Sequence, residues 1–128
     1  RGMIVTILAR MEGVNTSGGA TWYARGREWA MENGISDGTN MTGKITREQL
    51  AAILYRYAQY KKLDTDAGAK LDSFSDAGNV SGYASEALSW AVSEGLINGA
   101  SGRLTPKGDA TRAQVAAILH RFVENVMD

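Results

Sequence analysis

The chain has 128 residues, of which 44% are hydrophobic and 22% charged, and it contains no cysteine. This length and composition suit one folded domain, and the missing cysteines exclude disulfides and thiolate metal sites. Because 14 basic side chains balance 14 acidic ones and no dense run of Lys or Arg occurs, we expect no nucleic-acid partner.

The first predicted helix, residues 1–12, is one of three copies of a single pattern, and Gly13 is its expected stop. Apolar side chains recur at steps of three, four and three residues, which is typical of one buried helix face. The positions shared by the three copies are Arg1/Arg47/Arg112, Ile4/Leu50/Val115, Ile7/Ile53/Ile118, Leu8/Leu54/Leu119, Arg10/Arg56/Arg121 and Met11/Tyr57/Phe122. Since the chain begins inside a copy, we expect a first repeat that lacks its front half.

A second kind of helix is predicted twice, over residues 22–33 and 83–94. Thr21 is the candidate N-cap of the first of these helices. Gly34 and Gly95 follow the two helices and are expected to end them. Each repeat therefore reads as helix, loop, helix.

Two tryptophans and the single histidine are interpreted as structural rather than functional. Trp29 and Trp90 match in the middle of the second kind of helix and are flanked by alanine, which favours the core over ligand contact. His120 stands where the other copies carry Ala9 and Tyr55, so we expect an ordinary variable position.

The two complete copies of the repeated helix each begin with a capping box. Thr46 is followed three residues later by Gln49, and Thr111 by Gln114. In this motif the hydroxyl accepts a hydrogen bond from the third backbone N–H, and the amide reaches back to the cap's own N–H. The helix starts are therefore predicted from sequence.

The residue after each cap is an arginine, Arg47 or Arg112, where the helix dipole favours an anion. One interpretation pairs each arginine with a carboxylate of a neighbouring repeat. The other is an anion site, because a helix N-terminus offers unpaired N–H groups and an arginine adds a bidentate clamp for a carboxylate or phosphate. Sequence alone leaves both open.

Catalytic and metal-binding patterns are not found. A nucleophile and base pair is missing, and no Gly-rich phosphate loop follows a strand. A calcium loop starting at Asp64 and Asp66 fails, because Ala69 stands where the sharp turn needs glycine and no glutamate closes the loop. The longest apolar runs are about six residues, too short to cross a bilayer. We therefore expect a binding module with no catalysis, no cofactor, no metal and no membrane insertion.

The order of short motifs in the last repeat resembles the S-layer homology (SLH) family. The motifs are Phe-x-Asp at 74–76, Ala-x-x-Trp-Ala at 87–91, Glu-Gly-Leu-Ile-Asn-Gly at 94–99, Leu-Thr-Pro at 104–106 and Thr-Arg-Ala-Gln at 111–114. The resemblance implies an all-α fold of helical repeats in a pseudo-threefold spindle. It also implies an extracellular anchor on a Gram-positive-type cell wall that binds a secondary polysaccharide, often capped with a pyruvate ketal.

The pyruvyl carboxylate is an anion, which agrees with the anion-site interpretation of the arginines. The resemblance thus makes Arg47 and Arg112 the expected carboxylate contacts and Arg1 a third. For the sugar faces, aromatic rings and nearby glycine backbone are the usual partners, and the candidates are Trp22, Tyr83, Gly38 and Gly99. The alternative is a structural or protein-interaction module without glycan binding.

The predicted organisation is half of a first repeat at 1–14, a second repeat at 15–63, a linker at 64–73 and a third repeat at 74–128, together one domain. The second repeat has no Phe-x-Asp, and its shorter loop lacks proline. A missing half-repeat would leave apolar faces of its neighbours exposed. We therefore expect the fragment to pair in solution, for example by exchange of helices.

Overall fold

A computed structural model describes residues 2–17, 23–36, 38, 44–63, 65, 71, 74–97 and 103–127. The chain forms two compact units, Arg1–Lys44 and Ile45–Asp128. Within the described ranges the regular structure is helical, apart from isolated bridge residues, which include the pair Thr46 and Asp109. The predicted all-α class is confirmed. None of the described helices has both the length and the apolar character needed to cross a membrane.

The first unit contains helices α1 (Gly2–Met11) and α2 (Ala24–Glu32), which pack against each other. Helix α2 begins two residues after the predicted start, with Tyr23 as its N-cap and no side-chain cap bond. Thr21, the predicted cap, lies outside the described residues. The two helices approach closely at Gly26, because a Cβ placed there would lie 2.8 Å from the Thr6 Cα.

The second unit contains helices α3 (Arg47–Tyr60), α4 (Ser85–Ser93) and α5 (Arg112–Phe122). Two short 3₁₀ helices, Ala77–Asn79 and Gly82–Ala84, precede α4. A short π-helix, Val123–Met127, follows α5. The predicted start of α4 at residue 83 therefore falls in a 3₁₀ turn. Helix α4 packs against α3.

Both predicted capping boxes are present. At α3 the Thr46 hydroxyl accepts the Gln49 N–H at 3.3 Å, and the Gln49 amide oxygen accepts the Thr46 N–H at 2.9 Å. At α5 the corresponding distances between Thr111 and Gln114 are 3.1 and 2.9 Å. The repeated helix therefore begins where its sequence predicts.

The predicted glycine stops are also confirmed. Gly34 and Gly95 follow α2 and α4 with φ values of +69° and +73°, in the left-handed region that glycine enters without steric cost. The residue after each glycine donates its N–H back into the helix, from Ile35 to the Ala30 carbonyl and from Leu96 to the Ala91 carbonyl. This backbone arrangement is the usual way to end a helix at glycine.

An aromatic cluster fills the core of the second unit. The Trp90 ring packs edge-to-face on Tyr55 and Phe122, with centroids 5.6 and 6.1 Å away, and Tyr57 lies 5.9 Å from Phe122. Trp90 is fully buried and Trp29 is buried in the first unit, which confirms both as core residues. The cluster joins α3, α4 and α5 and so fixes the positions of the helices that carry the candidate site.

The division by compactness falls between Lys44 and Ile45, inside the second predicted repeat. The reason is that α3 packs with α4, which belongs to the following repeat. Compactness does not identify repeats, so the repeat boundaries and the threefold spindle stay predictions.

Candidate anion-binding groove

The start of α3 is capped by a loop from the next predicted repeat, residues 103–110. The Arg47 N–H donates to the Gly108 carbonyl at 3.1 Å, and the Glu48 N–H donates to the Pro106 carbonyl at 2.9 Å. With Gln49 bonded to Thr46, the N–H groups of the first turn are occupied. The expectation of unpaired backbone N–H groups is therefore wrong for α3, because loop carbonyl oxygens take the place of an anion.

The start of α5 differs. Within the described ranges, the N–H groups of Arg112 and Ala113 have no hydrogen-bond acceptor, and the side chains of both residues are exposed. The Arg112 side chain likewise makes no hydrogen bond or ion pair with a described residue. The two matching arginines thus stand in different surroundings.

The Arg47 side chain points into a groove of about 330 Å³ in the second unit. Arg103, from the capping loop, and Arg121, from the end of α5, line the same groove. The apolar part of the lining includes Leu96, Leu104 and Ile118. Three arginines and several largely buried apolar residues therefore line one concave surface.

The three arginines of the groove make few hydrogen bonds to the rest of the described protein. The Arg47 guanidinium donates to the Thr105 carbonyl at 3.5 Å, and that of Arg121 donates to the Leu96 carbonyl at 3.2 Å. Among the described residues, no carboxylate oxygen lies within 4 Å of the guanidinium of Arg47, Arg103 or Arg121. The inter-repeat ion pair considered from sequence for Arg47 is thus not found among the described residues. Of the three arginines, Arg103 interacts electrostatically with the Asp76 carboxylate.

Asp76, in the Phe-x-Asp motif, holds the capping loop in place. Its two carboxylate oxygens accept the N–H groups of Leu104 and Thr105, both at 2.8 Å. The Leu104 N–H, then the Thr105 N–H, hold the pKa of this carboxyl below its ordinary value of 3.8, and the Arg103 guanidinium acts in the same direction. Asp76 is therefore a carboxylate that stabilises backbone next to the groove.

A second carboxylate fastens α3 to the segment that carries Asp76. Glu48 is buried, and its oxygens accept the Ser81 N–H at 2.9 Å and the Ser81 hydroxyl at 2.7 Å. A buried carboxylate needs such partners, because an unpaired charge in the interior is costly. Hydrogen bonds thus connect the start of α3 to the capping loop and the capping loop to the segment 74–81. The same segment is bonded to α3 through Glu48.

Of the other predicted site residues, the described ones, Arg112, Tyr83 and Gly38, do not line this groove. Arg112 is exposed at the start of α5, and Tyr83 is 56% exposed in the 3₁₀ turn before α4. Gly38 is buried in the first unit, where its carbonyl accepts the Arg27 Nε–H at 2.7 Å. Arg1, Trp22 and Gly99 lie outside the described residues.

Sequence reasoning missed the groove contributions of Arg103, Arg121 and Asp76. Arg121 belongs to a set of matching arginines, and Asp76 to the Phe-x-Asp motif, so both carried a signal. Arg103 has no counterpart in the shorter loop of the second repeat. In the described part of the chain, no group of three or more His, Asp or Glu side chains is placed to hold a metal ion.

Comparison with known protein families identifies the domain to which these motifs belong. Residues 73–116 match the S-layer homology domain. This part of the chain is an S-layer homology domain. SLH domains are non-catalytic modules that bind cell-wall polymers and attach proteins to the bacterial cell surface. The SLH domain therefore indicates association of this chain with a bacterial cell surface or S-layer. The matched range contains both Asp76 and the capping loop.

Three curated proteins are similar to most of the chain. An amylopullulanase of Thermoanaerobacterium thermosulfurigenes is 35% identical over 112 residues, which cover 80% of this chain and 6% of the relative. Exoglucanase XynX of Acetivibrio thermocellus is 36% identical over 108 residues, or 80% and 10%. The surface-layer 125 kDa protein of Lysinibacillus sphaericus is 32% identical over 114 residues, or 82% and 9%. The chain spans a tenth or less of these relatives, and no solved structure matches it.

Proposed function

We propose that this SLH chain anchors a larger protein to the cell wall by binding the carboxylate of an acidic, pyruvylated secondary cell-wall polysaccharide. The proposed contact surface is the groove lined by Arg47, Arg103 and Arg121. One observation carries the proposal: three arginines line one groove, and no described carboxylate lies within 4 Å of their guanidinium groups.

The chemistry of the groove suits such a glycan. A guanidinium group donates two parallel hydrogen bonds to a carboxylate, and such charge-assisted bonds are stronger than neutral ones. Among the apolar residues of the lining, Ala117 is partly exposed and offers a small apolar surface for the ketal methyl group, whereas Leu96, Leu104 and Ile118 are buried behind it. The volume of about 330 Å³ lies at the lower end of the roughly 300–1,000 Å³ typical of small-molecule sites.

The remaining predicted contacts belong to the same proposal. Arg112 occupies the position in α5 that Arg47 occupies in α3, and we assign it to a second carboxylate contact, with Arg1 as a third. The sugar-face contacts assigned from the family resemblance are Trp22, Tyr83, Gly38 and Gly99. The glycan is proposed to lie outside the cell, on a Gram-positive-type wall.

The attached protein is also part of the proposal. Two of the similar proteins are named as an amylopullulanase and an exoglucanase, and the third as a surface-layer protein. We infer that this chain likewise serves as an attachment segment for a polysaccharide-degrading enzyme or a surface-layer protein. Any catalytic residues would then lie outside these 128 residues.

A second candidate function is a structural or protein-interaction module without glycan binding. The Arg47 side chain favours it in one respect, because its guanidinium bonds to the Thr105 carbonyl of the next repeat. In that case the arginine would stabilise the contact between repeats. Its replacement would lower the free energy of unfolding and leave wall binding unchanged.

The deciding experiment is co-sedimentation with purified Gram-positive sacculi, before and after chemical removal of the secondary polysaccharide and its acidic groups. We expect binding to intact sacculi only. Arg47→Gln should weaken binding about 10- to 150-fold, the equivalent of about 1.5–3 kcal/mol for a hydrogen bond to a charged group. Arg112→Gln tests the second contact in the same way.

Arg56→Gln is the matched control, because Arg56 is an exposed arginine of α3 outside the groove. It removes the same charge and should bind like the unaltered protein. Equal losses for Arg47→Gln and Arg56→Gln would point to non-specific charge attraction. Unchanged binding of Arg47→Gln, together with a lower free energy of unfolding, would support the interaction module instead.

A further inference from the structure

Three segments of the second unit are fastened to one another around the groove. Asp76 accepts two backbone N–H groups of the capping loop, from Leu104 and Thr105. The capping loop in turn accepts the Arg47 and Glu48 N–H groups through its Gly108 and Pro106 carbonyls. The third connection is made by Glu48, whose carboxylate accepts two hydrogen bonds from Ser81, five residues after Asp76.

The loop needs such support, because its backbone is unusual at Thr105. This residue has a φ of +51°, a region that a β-branched side chain rarely adopts. Its carbonyl accepts both the Gly108 N–H at 3.1 Å and the Arg47 guanidinium at 3.5 Å. The two N–H groups held by Asp76 belong to Leu104 and Thr105, which directly follow Arg103 in the chain. The carbonyl of the same Thr105 is the hydrogen-bond acceptor of the Arg47 guanidinium.

We propose that Asp76 is a positioning residue of the groove, which fixes Arg103 and Arg47 relative to each other through the Leu104–Thr105 backbone. The inference rests on the proposed function, because it takes the groove as the ligand site. Asp76 does not line the groove itself. It acts by holding two arginines in a geometry suited to one anion, so that less ordering is needed when the ligand binds.

The carboxylate is suited to this role by its two equivalent acceptor oxygens. Each oxygen receives one N–H, and both bonds are charge-assisted. An asparagine at this position keeps one acceptor oxygen but turns an NH₂ group toward the second N–H. Asp76→Asn therefore removes one support of the loop with almost no change in side-chain volume, and Asp76→Ala removes both.

The test measures binding of a pyruvylated methyl hexoside by isothermal titration calorimetry, on the whole 128-residue chain. We expect Asp76→Asn to weaken binding about tenfold, and Asp76→Ala to weaken it at least as much. The amide signals of Leu104 and Thr105 in NMR should shift and exchange faster with solvent. Ile53→Val, which removes a buried methylene of α3 outside the groove, should lower stability and leave binding unchanged.

A double-mutant cycle with Arg103→Gln separates positioning from general stability. If Asp76 acts through Arg103, the loss in the double variant is smaller than the product of the two single losses. Independent, multiplying losses would overturn the inference, and so would unchanged binding of Asp76→Asn. Arg47→Gln shows which idea has failed: if it binds normally, the proposed function is wrong, and if it alone loses binding, only the role of Asp76 is wrong.

Discussion

At the scale of single residues, Arg47 shows how a position that looks electrostatically unfavourable is accommodated. A cation in the first turn of a helix opposes the helix dipole. Here the carbonyls of Gly108 and Pro106 face the first-turn N–H groups, so negative partial charge is supplied by the backbone of the next repeat. The Arg47 side chain is then directed into the groove.

The Asp76 carboxylate makes the stability of the fold depend on pH. The N–H groups of Leu104 and Thr105, with Arg103 nearby, hold the pKa of Asp76 below 3.8. A lowered pKa in the folded state means that the stabilisation is complete above the ordinary pKa and disappears as the pH falls through the lowered value. We expect urea unfolding to show this loss below about pH 4.

Asp76→Asn supplies the comparison for this pH prediction. Its free energy of unfolding should be lower than that of the unaltered protein at neutral pH, and the difference should shrink as the pH falls below 4. A difference that stays constant from pH 7 to pH 2 would contradict the argument.

Some residue-scale features were predictable and others were not. Trp29, Trp90 and both capping boxes follow from local spacing and flanking residues, which the chain carries in its own sequence. The occupied N–H groups at the start of α3 depend on a loop about 60 residues later. No local pattern reports such a contact, because it arises only when two repeats pack.

At the scale of elements, the ends of α2 and α4 were predicted better than their starts. Gly34 and Gly95 specify a left-handed residue that only glycine adopts easily, so the stop is encoded at one position. The starts of α2 and α4 have no side-chain cap at their N-cap residues, Tyr23 and Ala84. Without a cap, sequence periodicity alone places a boundary only to within a few residues.

The crossing of α1 and α2 gives a prediction whose sign is informative. Gly26→Ala should raise intrinsic helix propensity, which by itself stabilises by about 1 kcal/mol. The added Cβ would lie 2.8 Å from the Thr6 Cα, however, and backbone cannot move aside cheaply. We expect a net destabilisation of about 1–3 kcal/mol in chemical unfolding, the usual cost of overpacking.

Glu28→Ala is the control for this crossing, because Glu28 is exposed on the same helix. Its effect on the free energy of unfolding should stay within about 0.5 kcal/mol. The repeat supplies its own contrast, since Ala87 stands at the position that matches Gly26 and is buried in α4. A stabilised Gly26→Ala variant would show that α1 and α2 can separate at little cost.

At the scale of the whole molecule, the sequence predicts pairing in solution. Several large apolar side chains of the described ranges are more than a third exposed, namely Met11, Met31, Tyr60, Tyr83 and Val123. Burying such surface between two copies would be favourable. We expect multi-angle light scattering to give a mass approaching twice 13.7 kDa as the concentration rises.

A single monomer mass across the whole concentration range would refute the pairing prediction. Met31→Gln offers a check on the mechanism, because Met31 is 45% exposed and its replacement removes apolar surface with little effect on the core. If pairing uses this surface, the variant should need a higher concentration to form dimers. Exchange of helices would additionally make dimer formation slow and dependent on unfolding.

The all-α class and the family were predictable at this scale because several motifs recur in register. Each further copy of a motif makes a chance match less probable. The groove was only partly predictable, since Arg47 was expected in an anion site but Arg103 and Arg121 were not. Their places depend on how the loop and the end of α5 meet the preceding repeat. Such information lies in the packing between repeats.

The capping loop lies in the predicted third repeat and caps α3, the helix of the predicted second repeat. A lone repeat would have Arg47 without the loop, or the loop without Arg47, and neither half forms the groove. Under the proposed function, the sequence is thus built from single repeats, whereas one binding groove needs residues from two neighbouring repeats. By the same reasoning, a duplicated repeat would complete such a groove only where its loop adjoins a helix that carries the matching arginine.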